Sequence, residues 1–307
     1  MYFPYFRGRQ YELIALRELV TNDLLGRSVV PVIEPIKLTS TFDSTLKGFH
    51  AQKMPFALIF NPSVGELTNT TDLTEKLLSR LNGNSTSIPS VFLNKNAENT
   101  LAMLIQKGFI TEGLLTIINN RDFLDIYKAL FDVSAPKYTL FPDERQIRRT
   151  VSQNKVLFED KFNKQGRNAD YPEDEFFSED HLFFQEEGYT GFGDYSIVGD
   201  EYIESGFAPY AVAIHIVYFA DDDTLRIRHF ISNSNEDISD VAGKYHEAVS
   251  KVAQWYNIGQ KRQLTSALST FLAHAETGYY PGLPTVKKLS IMHHLELLGK
   301  FLDGGMV

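Results

Sequence analysis

The sequence of 307 residues contains no cysteine. The absence of thiols excludes disulfide bonds, a cysteine nucleophile, and zinc or iron–sulfur sites with cysteine ligands. No run of residues approaches the roughly 18 apolar residues of a membrane-spanning helix. The first ten residues do not combine a basic start with a long apolar segment, as a secretory signal does. The sequence therefore predicts a soluble cytoplasmic protein without membrane contact.

The sequence also lacks the short motifs of common nucleotide-binding and hydrolytic folds. It has no P-loop, no G-x-S-x-G elbow and no kinase motifs, and Arg7-Gly8-Arg9 stands where a dinucleotide-binding fold would carry G-x-G-x-x-G. Acidic residues outnumber basic ones, 39 to 30, which gives a formal net charge of −9. This balance argues against a surface that coats nucleic acid, although it leaves room for a local basic groove.

The eight histidines do not predict a zinc site. None of them occurs in an H-x-H or H-E-x-x-H arrangement. His293 and His294 are adjacent on a predicted helix, where neighbouring side chains point about 100° apart and cannot chelate together.

The sequence does contain a short apolar run that ends on a polar residue, repeated along its first two thirds. The clearest example is Val29–Lys37, VVPVIEPIK, whose apolar part stops at Glu34. The further runs are PFALIFNP, SVFLNKN, LLTIINN, KYTLFPDE and KVLFED. Apolar runs without strict alternation are typical of strands buried on both faces of a parallel sheet. Successive runs are about 17 to 35 residues apart, which leaves room for one crossover helix each.

This succession of strand and helix units predicts an α/β fold, a (βα)8 TIM-barrel-like architecture, with an open doubly wound sheet as the alternative. Tyr189–Asp194 is interpreted as the eighth strand. The predicted single domain, 1–307, comprises a barrel core at 1–200, an inserted antiparallel hairpin at 201–235, and C-terminal helices at 236–307 that complete or cap the barrel.

Two segments depart from the alternation of strands and helices. Ala211–Phe219 and Thr224–Ser232 are predicted to form the antiparallel hairpin, which makes His215 and His229 candidates for cross-strand neighbours. Glu173–Glu187 carries four phenylalanines among acidic residues and is predicted to be an amphipathic helix.

Polar residues that end the strands of such a barrel are expected to converge, because the loops after the strands meet at one face. The candidate catalytic residues are Glu34, Asp143, Asp160 and Asp194. The candidate ligand-binding residues are Arg7, Arg9, Lys37, Asn61, Lys95 and Asn119. Crowded carboxylates raise one another's pKa, bind a divalent cation such as Mg²⁺, or pair with nearby cations, and Asp160 and Asp194 are the candidate metal ligands. The alternative is that strands end on polar residues because the chain reaches water there, with alternate side chains facing the helices.

Three of these positions have a sharp structural alternative. Arg7-Gly8-Arg9 places two guanidinium groups at a strand end, which suits bidentate binding of phosphate or carboxylate, but either arginine can instead pair with a structural acid. Glu34 is held between a buried strand and a proline, which suits catalysis, and a buried ion pair with Arg9 is the competing interpretation. Asp194 follows glycines that permit close approach of a ligand or of backbone, and the competing interpretation is a turn aspartate that bonds its own backbone.

The N-terminal phrase Met1–Leu19, MYFPYFRGRQYELIALREL, followed by V-P-V-I-E-P, resembles the opening of the "beta protein" family of bacteria and phages. The resemblance is specific over roughly the first 40 residues and extends less specifically through G-F-G-D-Y. It implies a setting among mobile-element and anti-phage defence genes, with similarity to a bacterial subgroup encoded beside a small predicted nuclease. The family supplies no catalytic residues to carry across.

Two functions follow as hypotheses. In the first, the barrel is a hydrolase acting on a phosphate-bearing small molecule or nucleic-acid end, with Arg9 and Lys95 binding the anion and Glu34 or Asp143 as general base. In the second, the same barrel is a non-catalytic sensor or scaffold that partners a nuclease. Convergence of Arg9, Glu34, Asp143 and Asp194 around a pocket favours the enzyme, whereas scattered or mutually paired side chains favour the scaffold.

Overall fold

A computed structural model describes residues 1–68, 70, 72–81, 86–203, 209–259 and 263–304. The chain folds into two compact units. The first unit comprises Met1–Glu159 and Phe183–Asp194, and the second comprises Asp160–Leu182 and Tyr195–Val307. The ranges 201–235 and 236–307, predicted as hairpin and helices, include 204–208, 260–262 and 305–307, which lie outside the described residues.

Eleven β-strands and ten α-helices are formed by the described residues. The strands are β1 (Tyr5–Phe6), β2 (Val32–Ile33), β3 (Phe56–Ile59), β4 (Ser87–Phe92), β5 (Leu115–Ile117), β6 (Tyr138–Phe141), β7 (Lys155–Phe158), β8 (Asp174–Ser178), β9 (Gly191–Gly193), β10 (Ala213–Phe219) and β11 (Leu225–Ile231). The helices are α1 (Gln10–Thr21), α2 (Ser40–Ala51), α3 (Leu73–Leu81), α4 (Ala97–Gln106), α5 (Leu124–Phe131), α6 (Arg145–Thr150), α7 (Asp180–Phe183), α8 (Val241–Ile258), α9 (Ser266–Thr277) and α10 (Leu283–Leu302).

The first unit is an eight-stranded parallel barrel. Its strand order is β1–β2–β3–β4–β5–β6–β7–β9, and every neighbouring pair is parallel. The two ends of this order meet at a seam where Tyr2 bridges Phe192. There the N–H groups of Phe3 and Tyr5 donate to the carbonyl oxygens of Phe192 and Asp194, each at 2.8 Å. The (βα)8 TIM-barrel-like prediction is confirmed, with β9 as the eighth strand, and the seam excludes the open sheet.

Aromatic rings fill the inside of the barrel. The ring of Phe3 lies 4.8 Å from that of Tyr138. The ring of Tyr5 lies 6.0 Å from Phe92 and 5.8 Å from Phe158, which belong to β4 and β7. Side chains that touch across non-neighbouring strands must point into the barrel, so the interior is a packed core and not an open channel.

The seam of the barrel requires glycine at two positions of β9. A Cβ atom at Gly193 would overlap the carbonyl oxygen of Phe3, and one at Gly191 would lie 2.8 Å from the carbonyl oxygen of Met1. Neither position has room for a side chain, so the glycines let the last strand reach the first. In this glycine-rich segment, the glycines therefore permit the close approach of backbone.

The second unit is built on a three-stranded antiparallel sheet in the order β10–β11–β8. The predicted hairpin is confirmed as β10 and β11, and His215 lies directly opposite His229, with their Nδ1 atoms 2.7 Å apart. The predicted helix over Glu173–Glu187 is wrong in its first half, because Asp174–Ser178 forms strand β8. The acidic side chains of this segment pair with bases on β11, Asp174 with Arg226, Glu173 with Arg228, and Glu175 with His229.

Three long helices pack against this sheet and against one another. Helix α10 contacts β10 and α9, and α8 contacts α9 and β11. Twelve of the 20 residues of α10 are buried, including His293, His294 and Glu296, so this helix is the centre of the unit and not an amphipathic cover. The role of these helices toward the barrel, completing or capping it, stays a prediction. In the described parts of the chain, no helix combines the length and apolarity needed to cross a membrane.

Two histidines of α10 are held neutral inside the second unit. His293 Nε2 lies 2.8 Å from the carbonyl oxygen of Val217, and its Nδ1 lies 2.7 Å from the hydroxyl of Thr265. His294 Nδ1 lies 2.9 Å from the hydroxyl of Ser196. Burial lowers the pKa of His293 to about 4 and that of His294 to about 3. Both rings therefore serve as polar links within the core.

We expect the second unit to lose stability as the pH falls from 6.5 toward 4. Between these values the unfolded chain protonates His293 and the folded chain does not, so acid favours unfolding, and the stability is fully present above pH 6.5. The loss from this one residue at pH 5 is about 2 kcal/mol. Urea denaturation at pH 7 and pH 5, followed by fluorescence of the single tryptophan, Trp255, measures it.

The variant His293→Gln keeps a donor and an acceptor and cannot titrate, so the difference between its two unfolding curves should shrink by about 2 kcal/mol. An unchanged pH dependence in this variant would contradict the assignment of a neutral, buried His293.

Candidate functional site at the carboxyl end of the barrel

The carboxylate of Glu34, at the carboxyl end of the barrel strands, accepts hydrogen bonds on both of its oxygens. Its Oε2 accepts the hydroxyl of Tyr5 at 2.6 Å and lies 3.8 Å from Arg7 Nε. Its Oε1 accepts the hydroxyl and the N–H of Ser63, at 2.8 and 2.5 Å, and the N–H of Val64 at 3.3 Å. Glu34 is 1% exposed and the Arg7 side chain is 12% exposed, so both charges are largely removed from water.

Three loops meet around Glu34 because two glycines let them approach closely. Gly8 has a φ of +59°, and a Cβ atom there would lie 3.0 Å from the carbonyl oxygen of Glu34. Gly65 has a φ of +84°, and a Cβ atom there would lie 2.6 Å from the Cβ of Ile36. The segments after β1 and β3 are thereby folded against the residues that follow β2. The segment V-I-E-P-I is therefore the one against which the other two loops pack.

Glu34 forms a buried ion pair with Arg7, one of the two arginines for which pairing with a structural acid was the alternative prediction. Arg9 precedes α1, and its N–H lies 3.4 Å from Glu12 Oε2. A carboxylate that already accepts hydrogen bonds on both oxygens is a poor general base, since abstracting a proton requires an accessible lone pair. The arrangement around Glu34 is that of a buried structural anion.

Asp143 lies on the opposite side of the sheet from Glu34. Leu140 pairs with Ile117 and Val156 in the inner layer, so alternation turns Phe141 and Asp143 outward. The Oδ1 of Asp143 accepts Arg148 of α6 at 2.8 Å and the hydroxyl of Tyr189 at 2.9 Å. Burial, together with this carboxylate, raises the pKa of Tyr189, which keeps the phenol protonated and donating. Asp143 thus ties β6 to the outer layer of the first unit.

Asp194 also faces outward. Its Oδ1 accepts the hydroxyl of Tyr2 at 2.7 Å, and the ring of Tyr2 stacks on Phe192 at 5.1 Å. Tyr2 alternates with Phe3 and Tyr5, whose rings lie inside the barrel, so the Tyr2–Asp194 pair belongs to the outer face. Burial, reinforced by the carboxylate, raises the pKa of Tyr2 well above its usual value. Asp194 is 3% exposed and holds the seam.

Asp160 belongs to the second unit, where both of its oxygens accept backbone N–H groups. The donors are Phe162, at 3.0 Å, and Asp200, at 2.8 Å. Burial raises the pKa of Asp160, and the charge of Asp200 adds to the effect. In the ranges that the structure describes, no group of three or more His, Asp or Glu side chains is placed to hold a metal ion, which leaves the proposed ligands Asp160 and Asp194 without such a group.

The remaining candidate ligand-binding residues divide into bonded and exposed ones. Lys37 donates to Glu66 at 2.9 Å in an exposed pair. Asn61 uses its side-chain amide to donate to the carbonyl and accept the N–H of Phe92, both at 2.8 Å, which extends the pairing of β3 with β4. Lys95 and Asn119 are exposed after β4 and β5.

The structure therefore brings together Arg7 and Glu34, while Asp143 and Asp194 are on the other face of the same barrel. Sequence reasoning did not identify Tyr5 and Ser63 as partners of Glu34. The signal for Tyr5 was available, since it alternates with Phe3 in a strand and precedes a charged residue at the same face. No local pattern marks Ser63, because its contact joins two loops 29 residues apart.

Comparison with known proteins yields no relative, since no family model, no curated protein and no solved structure matches the chain.

Replacement of Glu34 by alanine should destabilise the first unit by about 3 kcal/mol or more. The variant leaves the hydroxyl of Tyr5, the N–H of Ser63 and the charge of Arg7 without their acceptor in a buried site. Guanidinium denaturation followed by circular dichroism measures the change.

The control is Glu66→Ala, which removes the exposed partner of Lys37 and should leave the unfolding curve nearly unchanged. A Glu34→Ala protein as stable as Glu66→Ala would contradict a structural role for the buried carboxylate.

Proposed function

We propose that the barrel is a non-catalytic binding module that recognises a phosphate-bearing ligand or nucleic-acid end at the carboxyl end of its strands. The observation that carries the proposal is the occupation of both oxygens of Glu34 by protein donors. The hydrolase hypothesis requires Glu34 or Asp143 as general base. Both oxygens of Glu34 already accept protein donors, and Asp143 accepts Arg148 and Tyr189 on the opposite face of the sheet from Glu34.

The cationic residues at this end support binding of an anion. Arg9 immediately precedes α1, and Lys95 lies two residues before α4 and is exposed. The N-terminal ends of both helices add partial positive charge at the same edge of the barrel. Exposed Asn119, after β5, adds an amide donor at the same end of the barrel. A phosphate group suits this combination of point charges and neutral donors.

The biological role that we propose is that of a sensor or scaffold in anti-phage defence that partners a nuclease encoded nearby. It rests on the N-terminal resemblance and on the second unit, whose sheet and helices extend well beyond a minimal barrel. A barrel that binds its ligand without converting it suits this role, because the ligand stays bound while the barrel engages its partner.

The proposal predicts that the chain binds a 5′-phosphorylated oligonucleotide more tightly than the same oligonucleotide with a 5′-hydroxyl, and cleaves neither. Fluorescence anisotropy at about 50 mM and 150 mM salt measures binding, and gel electrophoresis after incubation with Mg²⁺ measures cleavage. Arg9→Ala and Lys95→Ala should each weaken binding by about fivefold, since each removes one charge-assisted contact. Lys37→Ala is the matched control, because this lysine is paired with Glu66.

Equal affinity for the phosphorylated and unphosphorylated oligonucleotides would contradict anion recognition at this end. Metal-dependent cleavage by the wild type that Glu34→Gln abolishes would replace the proposal with the hydrolase.

A further inference from the structure

The second unit contains a cavity of about 640 Å³ between strand β11 and helix α8. Its volume falls in the range of sites for small organic ligands, roughly 300 to 1,000 Å³. Its walls combine the rings of Tyr171, Phe230 and Trp255 with the charged side chains of Arg228 and Lys251. The cavity is therefore suited to a ligand with both a ring and a charge.

The aromatic rings in the apolar wall of the cavity are packed against other rings. The ring of Trp255 lies 5.5 Å from Phe230 and 5.3 Å from Tyr218, in edge-to-face packing with each. The ring of Tyr171 stacks on His229 at 4.7 Å. Rings packed in this way hold one another in place, so a planar group that binds against them meets a pre-formed site.

His229, the histidine that lines the cavity, has both of its ring nitrogens within hydrogen-bond distance of a protein group. His229 Nε2 lies 3.0 Å from Glu175 Oε1, and its Nδ1 lies 2.7 Å from the Nδ1 of His215. With Nε2–H donated to the carboxylate, the Nδ1 of His229 accepts, so His215 donates and both rings are neutral. Burial lowers the pKa of both histidines, that of His215 to about 3. Recognition of a charged ligand therefore depends on the charged side chains at the edge of the cavity.

Among the charged side chains that line the cavity, Arg228 is arranged to bind an anion. One of its terminal nitrogens contacts Glu173, whose side chain is 75% exposed. Its Nε is buried and has no hydrogen-bond partner among the described residues. The edge of the guanidinium group therefore has one N–H donor in a weak, exposed ion pair and a neighbouring donor, Nε, that is unused. Two adjacent donors of this kind match the two oxygens of a carboxylate or phosphate. Lys251 adds a second positive charge, held by the neutral acceptors Ile231 O and Asn233 Oδ1 at 2.6 and 2.7 Å.

We propose that this cavity binds a small ring-bearing anion, whose carboxylate or phosphate takes the Arg228 edge from Glu173 while its ring lies on the Trp255 wall. The occupied Arg228 gains a bidentate contact in place of an exposed pair. Glu173 swings into water, where its charge is solvated. The site lies within the second unit and does not depend on ligand binding by the barrel.

Trp255 makes the proposal testable, because it is the only tryptophan of the chain and lines the cavity. The full chain is titrated with adenosine 5′-monophosphate and, separately, with benzoate, while tryptophan emission is recorded. Saturable quenching by either anion is expected, and which of the two binds distinguishes phosphate from carboxylate. Adenosine and inorganic phosphate, which carry only the ring or only the anion, should bind at least about tenfold more weakly.

Three variants separate the proposed contact from a general effect on folding. Arg228→Gln should weaken binding at least about tenfold, and Glu173→Gln should strengthen it several-fold by removing the competing carboxylate. Arg226→Gln, two residues away on β11 and paired with Asp174, should bind as the wild type does. The absence of saturable quenching by both anions overturns the proposal, and so does unchanged affinity in Glu173→Gln.

Discussion

The buried carboxylate of Glu34 is the constraint on which the carboxyl end of the barrel depends. A charge that is 1% exposed is costly unless every lone pair is satisfied, so each of its partners must be held in place. Tyr5 and Arg7 come from the first strand and the loop after it, and Ser63 and Val64 come from the loop after the third. One anion thus fixes the strand ends and loops of three successive βα units, and its role is to organise the site.

The N-terminal segment Tyr2–Phe6, which contains β1, has a tyrosine bonded to a carboxylate on each of its two faces. Tyr5 points inward and donates to Glu34, and Tyr2 points outward and donates to Asp194. The second pair lies at the seam. There Gly193 lets β9 approach the N-terminal segment closely enough for backbone hydrogen bonds of 2.8 Å to form between them. Two tyrosines of one short phrase therefore join the first strand to its neighbours on either side. The aromatic richness of this phrase reflects closure of the barrel.

The fold was predictable from the sequence because buried parallel strands appear as short apolar runs that recur along the chain. The site was harder to predict because it depends on the register of the strands. The alternation of side chains along each strand could be predicted. Which of the polar residues at the strand ends face inward depends on the register, that is, on the pairing of Tyr5 with Val32 and on the pairings that follow around the barrel. The pairing of Asp174–Ser178 with β11 spans about 50 residues, and it overrode a local pattern that favours a helix. The opposition of His215 and His229 followed directly from hairpin geometry.

The structural role of Glu34 is tested most directly by hydrogen exchange at the backbone amides of Ser63 and Val64, measured by NMR. Both residues lie in a loop, where amides ordinarily exchange fast, and both donate to Glu34 Oε1. If Glu34 is a structural anion, the two amides will exchange as slowly as those of the neighbouring strand residues Leu58 and Ile59. Exchange at the rate of an open loop would show that the carboxylate is not held by these donors and would make Glu34 a candidate catalytic group again.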